Sequence, residues 1–600
     1  MPTPPTTETP PRHTAGPDQT RAELRVHRPD LLAAFEAALP TARAAILARV
    51  LHALRHEPLP GVIRRSPTVE LADGRILTAP DEATQPFANP APGLTAHLTP
   101  ATARDRSPHL TATDERSRNP HLTPTDERSR NLRPVAGDGQ GRSPHLAAAD
   151  EWSRSPRPAP GRESGAGRES GAGRDPGGAR EHGAAHDDPA TLLRALDLGP
   201  HTARFATEVD NSVANLALAL ADAPAAIEPL HATAGDPDGL GRREQAVVDG
   251  HPLHPCCRTR GGMTVADVLA YAPEHRPIIR LRRLAVPPGR WYGDTPPVLY
   301  AHPWQARRLQ DRYPWLTDAG ETGEVRPLMS LRTVAPLSGG DHLKTAVDLQ
   351  LTSAVRTVSP AAVHNGPRLS ALLARLTAGL PLTVLRETAA GAVLIDGTPQ
   401  RHLAYLRRQA PRIGPAETVL PLGALAPLLP GLATDPHAWW HDLAHLLFPP
   451  LLTVLDRGVA LEAHGQNTLL VLDGTRPARI VYRDLGGVRV SARRLRAAGV
   501  EAPPVEGDLP TDDPDVLRTK LAAAVLGTVA AQLIAVLAGA GADPGRLWAT
   551  TAAAIRGTGT ADAARLLTDP LPVKATSAMR LADDPLADIW THLDNPMAGA

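Results

Sequence analysis

The residue types best able to do chemistry sit together in Glu462-Ala-His464-Gly-Gln466-Asn467, with Arg483-Asp484 following a short apolar stretch. Residues 468–472 and 480–482 are apolar and β-prone, and the turn pair Asp473-Gly474 lies between them. That pattern predicts a hairpin. Such a hairpin would carry an imidazole, two amides and two carboxylates to one place. Neutral and cationic donors suit phosphate oxygens, while the oxygens of Glu462, Asn467 and Asp484 suit Mg²⁺, a hard cation that keeps several waters. The residues point to a nucleotide-phosphate site. A polar hairpin edge with a solvated His464 is the bland alternative.

A second cluster lies upstream. Ser330-Leu-Arg332-Thr333 is followed by Lys344 and then by Arg356. Hydroxyls and fixed cations on neighbouring strands make an anion cradle, with arginine binding two oxygens as a fork and lysine acting as a point charge. Between them Val347, Leu349 and Leu351 alternate with polar residues, which predicts a half-buried strand. Solvated surface cations are the competing reading.

Taken together, these residues resemble the NRPS-independent siderophore synthetases of the IucA/IucC family. The family's ATP-site pattern falls on Ser330, Arg332, Thr333, Lys344, Arg356, Glu462, His464, Gln466, Asn467 and Asp484. Three further segments fit it: Gly250-His-Pro-Leu-His-Pro255, Glu208-Val-Asp-Asn211-Ser-Val-Ala-Asn215, and Leu571-Pro-Val-Lys574-Ala with Asn595-Pro596. The likeness runs from about residue 190 to the C-terminus. It implies adenylation of a carboxylic acid with Mg-ATP, then condensation with an amine, an amino-alcohol or a hydroxylamine. It also implies a homodimer, and a C-terminal region similar to ferric reductases that hold an iron–sulfur cluster on cysteines.

The loop with His251 and His254 continues into Cys256-Cys257-Arg258-Thr-Arg260. Its two prolines force an extended path, so the imidazoles cannot share a helix face. Zn²⁺ binding by the histidines and cysteines is one option, but adjacent cysteines chelate awkwardly. A carboxylate-binding loop using His251, His254, Arg258 and Arg260 fits the resemblance better. His-Pro-x-His-Pro resembles the loop of members that use a free acid such as citrate. The family usually has lysine where this chain has Arg258. Repeated donors favour a polycarboxylate, with citrate ahead of 2-oxoglutarate and succinate-type monoamides.

Lys plus Arg equals Asp plus Glu, 64 each in 600 residues, so no global basic field draws nucleic acid. The two cysteines, Cys256 and Cys257, are adjacent, and no CxxC pair exists. Neither a disulfide framework nor a cysteine-ligated cluster is supported. A reducing, cytoplasmic compartment is the simplest expectation. The Pro/Thr-rich N-terminus lacks the apolar core of a signal peptide. Residues 521–542 are uncharged over a membrane-spanning length, yet alanine-rich and interrupted by Gly527, Thr528 and Gln532; they read as a buried helix rather than a span.

Residues 31–54 read as a helix and residues 62–77 as a pair of strands. Composition then collapses between about residues 91 and 188. Ser107-Pro-His-Leu-Thr-Ala-Thr-Asp-Glu-Arg-Ser-Arg118 repeats as Asn119-Pro-His-Leu-Thr-Pro-Thr-Asp-Glu-Arg-Ser-Arg130, and a third copy starts at Ser143. Such repeats offer too few apolar side chains to offset ordering entropy, so the stretch reads as a disordered insertion. Residues 191–225 read as helical. His302 reads as a residue opening a helix beside Trp304. Trp439, Trp440, His441 and His445 read as core packing on one helix.

The expected fold class is α+β: a multi-lobed, cupped-hand arrangement. Its parts are an N-terminal tail and helical/β lobe (1–95), the insertion (96–190), a lobe with the acid loop and phosphate-binding strands (191–430), and a helical lobe with the Mg-ATP hairpin (431–600). ATP would lie between the last two. Arg332, Lys344, Arg356 and His464 would do the catalytic charge stabilisation. Two other classes compete: a kinase-like phosphotransferase, weakened by the absence of a G-x-G-x-x-G loop, and a non-catalytic ferric-siderophore binding or reductase protein.

Overall fold

The computed structural model describes residues 15–64, 68–80, 87, 90–100, 184–352 and 354–599. Helices and sheets are mixed throughout, as the α+β expectation requires. The chain opens with helices Pro17–His27 and Pro29–His56, each begun by a proline whose fixed φ suits the first turn. The second covers the helix expected at 31–54.

Where two strands were expected, three form: Val62–Arg64, Val69–Leu71 and Ile76–Thr78. Two more, Ala96–Thr99 and Ala184–His186, extend them into a five-stranded antiparallel sheet in chain order. The last two pair directly, Ala96 opposite His186 and Leu98 opposite Ala184. They lie inside the stretch read as an insertion, whose repeats, residues 101–183, fall outside the described residues. Pro189–Leu196 and Thr202–Ala221 follow as two helices rather than one; Asp197, left-handed at φ +51°, caps the first, and Gly199 at φ +107° lies in the link.

Six antiparallel strands form the central sheet, in the order Val325–Pro327, Thr333–Pro336, His342–Thr345, Thr398–Arg408, Glu387–Ile395 and Trp291–Tyr292. The strand expected across Val347–Leu351 is regular only at Gln350–Leu351. Its alternation was real: Val347, Leu349 and Leu351 are buried, with Asp348 exposed between them. A four-stranded sheet contains the expected hairpin, Thr468–Asp473 against Arg476–Tyr482, with Gly474 at φ +60° in the turn. It is flanked by Glu417–Pro421, and by Leu382–Val384 in parallel register.

The helix Pro436–Asp456 buries Trp439 and Trp440 in the largest apolar cluster, while His441 and His445 are exposed and lie ring against ring. The uncharged stretch near 521–542 lies within Pro514–Ala524, a π-helical turn Val525–Ala530, and Ala531–Gly539. Pro29–His56 and Pro514–Gly539 are long and apolar enough to cross a membrane by length and composition, and most of the second's apolar stretch is buried inside the molecule. The C-terminal hairpin Leu571–Lys574 and Trp590–Leu593 returns towards the first helices, where buried Glu57 accepts the N–H groups of Ser577 and Ala578.

Candidate active site

One large cavity, about 660 Å³, gathers both sequence clusters and the acid loop. On its central-sheet side, Thr333 stands opposite Lys344 on adjacent strands, and Arg332 immediately precedes Thr333. One terminal nitrogen of Arg332 donates to the Thr357 carbonyl at 2.5 Å, while its buried Nε has no partner among the described residues. Ser330 closes the turn before them by accepting the Thr333 N–H on its carbonyl. Arg356 follows the strand Ala354–Val355 and donates from Nε to Leu351. Burial, then the charge of Arg356, lowers the Arg332 pKa to about 10, and burial lowers that of Arg356. These guanidiniums are short of anionic partners.

The hairpin supplies the opposite wall. Asp484, just beyond its second strand, accepts from Lys344 Nζ at 2.6 Å. Burial alone would raise the Asp484 pKa, but Lys344 and Arg408 hold it far below the usual range. Asp484 has φ +73°, sparsely populated for any residue but glycine and least costly for Asn and Asp. Glu462 pairs with Lys520 at 2.8 Å, and Asn467 donates to the Glu462 carbonyl at 3.4 Å. A Cβ on Gly487 would fall 1.9 Å from Glu462 Oε2, so any side chain there would displace the Glu462 carboxylate.

A single device orients the histidines. His464 Nδ1 accepts the N–H of Gln466, His251 Nδ1 that of Leu253, His254 Nδ1 that of Cys256, and His302 Nδ1 that of Trp304. An imidazole that accepts at Nδ1 carries its proton on Nε2, so His464, His251 and His254 present neutral N–H donors to the cavity they line. Burial pushes His251 down to about 3 and His254 and His464 below their ordinary value. His302, fully buried, caps the helix Pro303–Arg312 outside this cavity.

The acid loop divides. Arg258 spends its donors inside the chain, on Glu274 at 3.0 Å and on the carbonyls of Val247, Val248 and Asp249. Arg258 lines the cavity with Nε and Nη2 engaged inside the chain and one hydrogen bond recorded from Nη1. Arg260 bonds the other oxygen of Glu274 at 2.8 Å, yet its buried Nε and that of His254 at Nε2 have no partner among the described residues. The helix Thr202–Ala221 fixes this segment: Asn211 accepts the Arg260 N–H, Ser212 that of Arg258, and Asn215 donates to the Arg258 carbonyl. Cys256 and Cys257 are free, buried thiols, and among the described residues no three His, Cys, Asp or Glu side chains gather as a metal cage.

Comparison with known proteins gives two family matches: "IucA / IucC family" over residues 240–296 and 293–427, and "Ferric iron reductase FhuF-like transporter" over residues 437–586. Residues 240–427 are thus similar to the IucA/IucC family and residues 437–586 to the FhuF-like one. It is 28% identical over 356 residues to staphyloferrin A synthase of Staphylococcus aureus, covering 50% of this chain and 61% of that protein. It is 27% identical to the rhizobactin siderophore biosynthesis protein RhbC of Rhizobium meliloti, covering 46% and 59%. The aligned part thus spans about three-fifths of these relatives' length. In fold it is similar to ATP-bound aerobactin synthetase IucA from a hypervirulent pathotype of Klebsiella pneumoniae, with TM-score 0.58 and 21% identity over 70% of this chain and 88% of that one.

The cavity draws on both matched regions. Arg258, Arg260, Arg332, Lys344 and Arg356 come from the first, and Glu462, His464, Asn467 and Asp484 from the second. Among the lining residues not singled out from sequence as site residues are Glu387, Arg408, Lys520 and Lys574. Glu387 stands at the head of an apolar strand, and burial plus the nearby Asp484 charge raises its pKa to about 7. Lys520 is buried in the helix Pro514–Ala524, where it is followed only by apolar residues.

Proposed function

We propose that this protein is an ATP-dependent acid–amine ligase of siderophore biosynthesis, with citrate as first-choice acid. The observation that carries the reading is the buried surplus of cationic donors. Arg332, Lys344, Arg356 and Arg408 crowd a cavity wall where Asp484 is the carboxylate hydrogen-bonded to this group. Burial, then Arg483, brings Arg408 down to about 10. Crowded, desolvated cations favour a polyanion such as a triphosphate.

The residues also fit Mg²⁺. Glu462 and Asp484 each bond a lysine through one oxygen, and Asn467 lies beside Glu462. Mg²⁺ typically takes one or two carboxylates and completes its shell with phosphate oxygens and water, so no all-protein cage is needed. Glu462, Asn467 and Asp484 would hold it, and it would neutralise charge on the phosphates.

In this reading the substrate carboxylate attacks the α-phosphorus of ATP and pyrophosphate leaves. The amine then attacks the acyl carbon and AMP departs, leaving an amide. Arg332, Lys344 and Arg356 offset charge gathering on the phosphorus, and the His464 Nε2–H adds a neutral donor. The chain supplies no nucleophile; its contribution is positioning and charge stabilisation.

Pyrophosphate release over a panel of citrate, tricarballylate, 2-oxoglutarate, succinate and a succinyl monoamide, with hydroxylamine as trap, tests this. AMP and pyrophosphate with a polycarboxylate are expected. ADP as the product would establish phosphotransfer instead, and iron-dependent absorbance without pyrophosphate release would establish the ferric-siderophore reading.

A further inference from the structure

Four ring-bearing residues follow one another on the helix Pro436–Asp456, and the structure sorts them by face. Trp439 and Trp440 are buried and anchored through their indole N–H groups, Trp439 to the Thr475 carbonyl at 3.0 Å and Trp440 to the Leu547 carbonyl at 3.0 Å. His441 and His445 lie on the outer face and are exposed. Asp435 caps the helix by accepting the N–H groups of His437 and Ala438. The backbone beneath the two exposed histidines is therefore held both by the core and by the helix start.

Residues four apart on a helix are neighbours, one turn on. Here the two imidazoles stack, with centroids 4.1 Å apart and 32° between their planes. His445 Nδ1 bonds the His441 carbonyl at 2.9 Å, and His441 Nδ1 bonds an Asp442 carboxylate oxygen at 3.4 Å. A carbonyl and a carboxylate accept, so each Nδ1 carries the proton and each Nε2 keeps its lone pair. The cavity histidines are the reverse: their Nδ1 atoms accept and their Nε2 atoms donate. A metal-bound imidazole almost always donates its second N–H to a carboxylate or a backbone carbonyl, which is the arrangement found at both residues. Neither histidine lines the cavity.

We propose that His441 and His445 together bind one divalent transition-metal ion through their Nε2 atoms, with water completing its shell. Imidazole suits Cu²⁺, Ni²⁺ and Zn²⁺, whereas Mg²⁺ takes oxygen ligands, so this site is separate from any Mg²⁺ held with a nucleotide. The second imidazole binds as an intramolecular ligand at high effective concentration, so the pair holds the ion far better than either ring alone. His437, one turn earlier, has its Nδ1 buried without a partner among the described residues and is not part of the pair. The inference does not depend on the ligase reading.

The test is calorimetric titration of the full chain with Ni²⁺ in excess Mg²⁺. The chain has 24 histidines, so binding is read as the difference between wild type and variants. His441→Ala and His445→Ala should each raise the Kd of one site at least tenfold, and His437→Ala should bind as the wild type does. Without metal all three should melt close to wild type, because the two substituted rings of the pair are exposed and His437 lies outside the core. Ni²⁺ should raise the melting temperature of the wild type and of His437→Ala, since an ion that spans successive turns binds the folded helix, and should raise it less in the other two. Equal Ni²⁺ binding in the wild type and in both pair variants overturns the proposal. So does binding lost in His441→Ala but kept in His445→Ala, which places the ion elsewhere on the helix. Displacement of the Ni²⁺ by Mg²⁺ overturns it as well, because that ion then sits on the cavity carboxylates.

Discussion

Lys344 and Asp484, 140 residues apart, meet at 2.6 Å, and the carboxylate that meets the lysine stands on a left-handed backbone. Few residues could do both jobs: Asn tolerates that backbone without supplying charge, and glycine supplies no side chain. Asp484→Asn should therefore keep the turn while pyrophosphate release falls on the order of 10²-fold or more. Asp484→Ala should lose as much activity and also melt lower than the Asn variant, by roughly 1 kcal/mol of backbone strain. Equal melting of the two variants would show that the strain is relieved elsewhere.

Arg356→Ala and His464→Ala each remove one donor from the cavity wall. Pyrophosphate release should drop by roughly 10²–10³ in each, the usual cost of one lost charge-stabilising donor. Circular dichroism and melting should be close to wild type. Near-normal rates in both variants would remove the proposed nucleotide site.

The pH dependence of stability has a definite sign. His302 is held at about 3 by burial, below its ordinary 6.5, so the unfolded chain binds more protons in between. The contribution of neutral His302 is complete above pH 6.5 and declines as pH falls towards 3. Melting should therefore drop on acidification from pH 7 to 4.5. His302→Asn, which can still cap the Trp304 N–H but does not titrate, should show a shallower drop. Parallel curves would rule out His302 as a contributor.

Because Ala96–Thr99 and Ala184–His186 are paired neighbours, the chain leaves and re-enters the sheet side by side. Replacing residues 101–182 by a short Gly/Asn turn should leave pyrophosphate release within a few-fold, since closing a shorter loop costs no more entropy. Removing the two strands as well should cost stability. Loss of soluble protein in the turn variant would show that the repeats do more.

The hairpin at 468–482, the helix at 29–56 and the neighbouring strands at Thr333 and Lys344 were legible because each is built from local periodicity and turn chemistry. The strands Ala96–Thr99 and Ala184–His186 were not: they are short and find each other across a long sequence gap, which no local pattern records. In the site, residue types were legible but partners were not. Arg258 and Arg260 read alike until three carbonyls, besides Glu274, are seen to engage Arg258. Glu387 was hidden because its role depends on the Asp484 charge brought from a distant strand.

Arg483 reaches from the end of the hairpin to buried Glu244 with two parallel hydrogen bonds, 2.6 and 2.9 Å, and also bonds the Gln466 carbonyl. Glu244 in turn accepts the Met329 N–H. The carboxylate belongs to the IucA/IucC match and the guanidinium to the FhuF-like match. Severing the chain between those matches would leave each fragment with a buried charge facing its own apolar interior, a penalty of several kcal/mol apiece. The two segments are thereby obliged to unfold together, and a scanning calorimeter should register one endotherm where the pair of family matches would lead one to look for two.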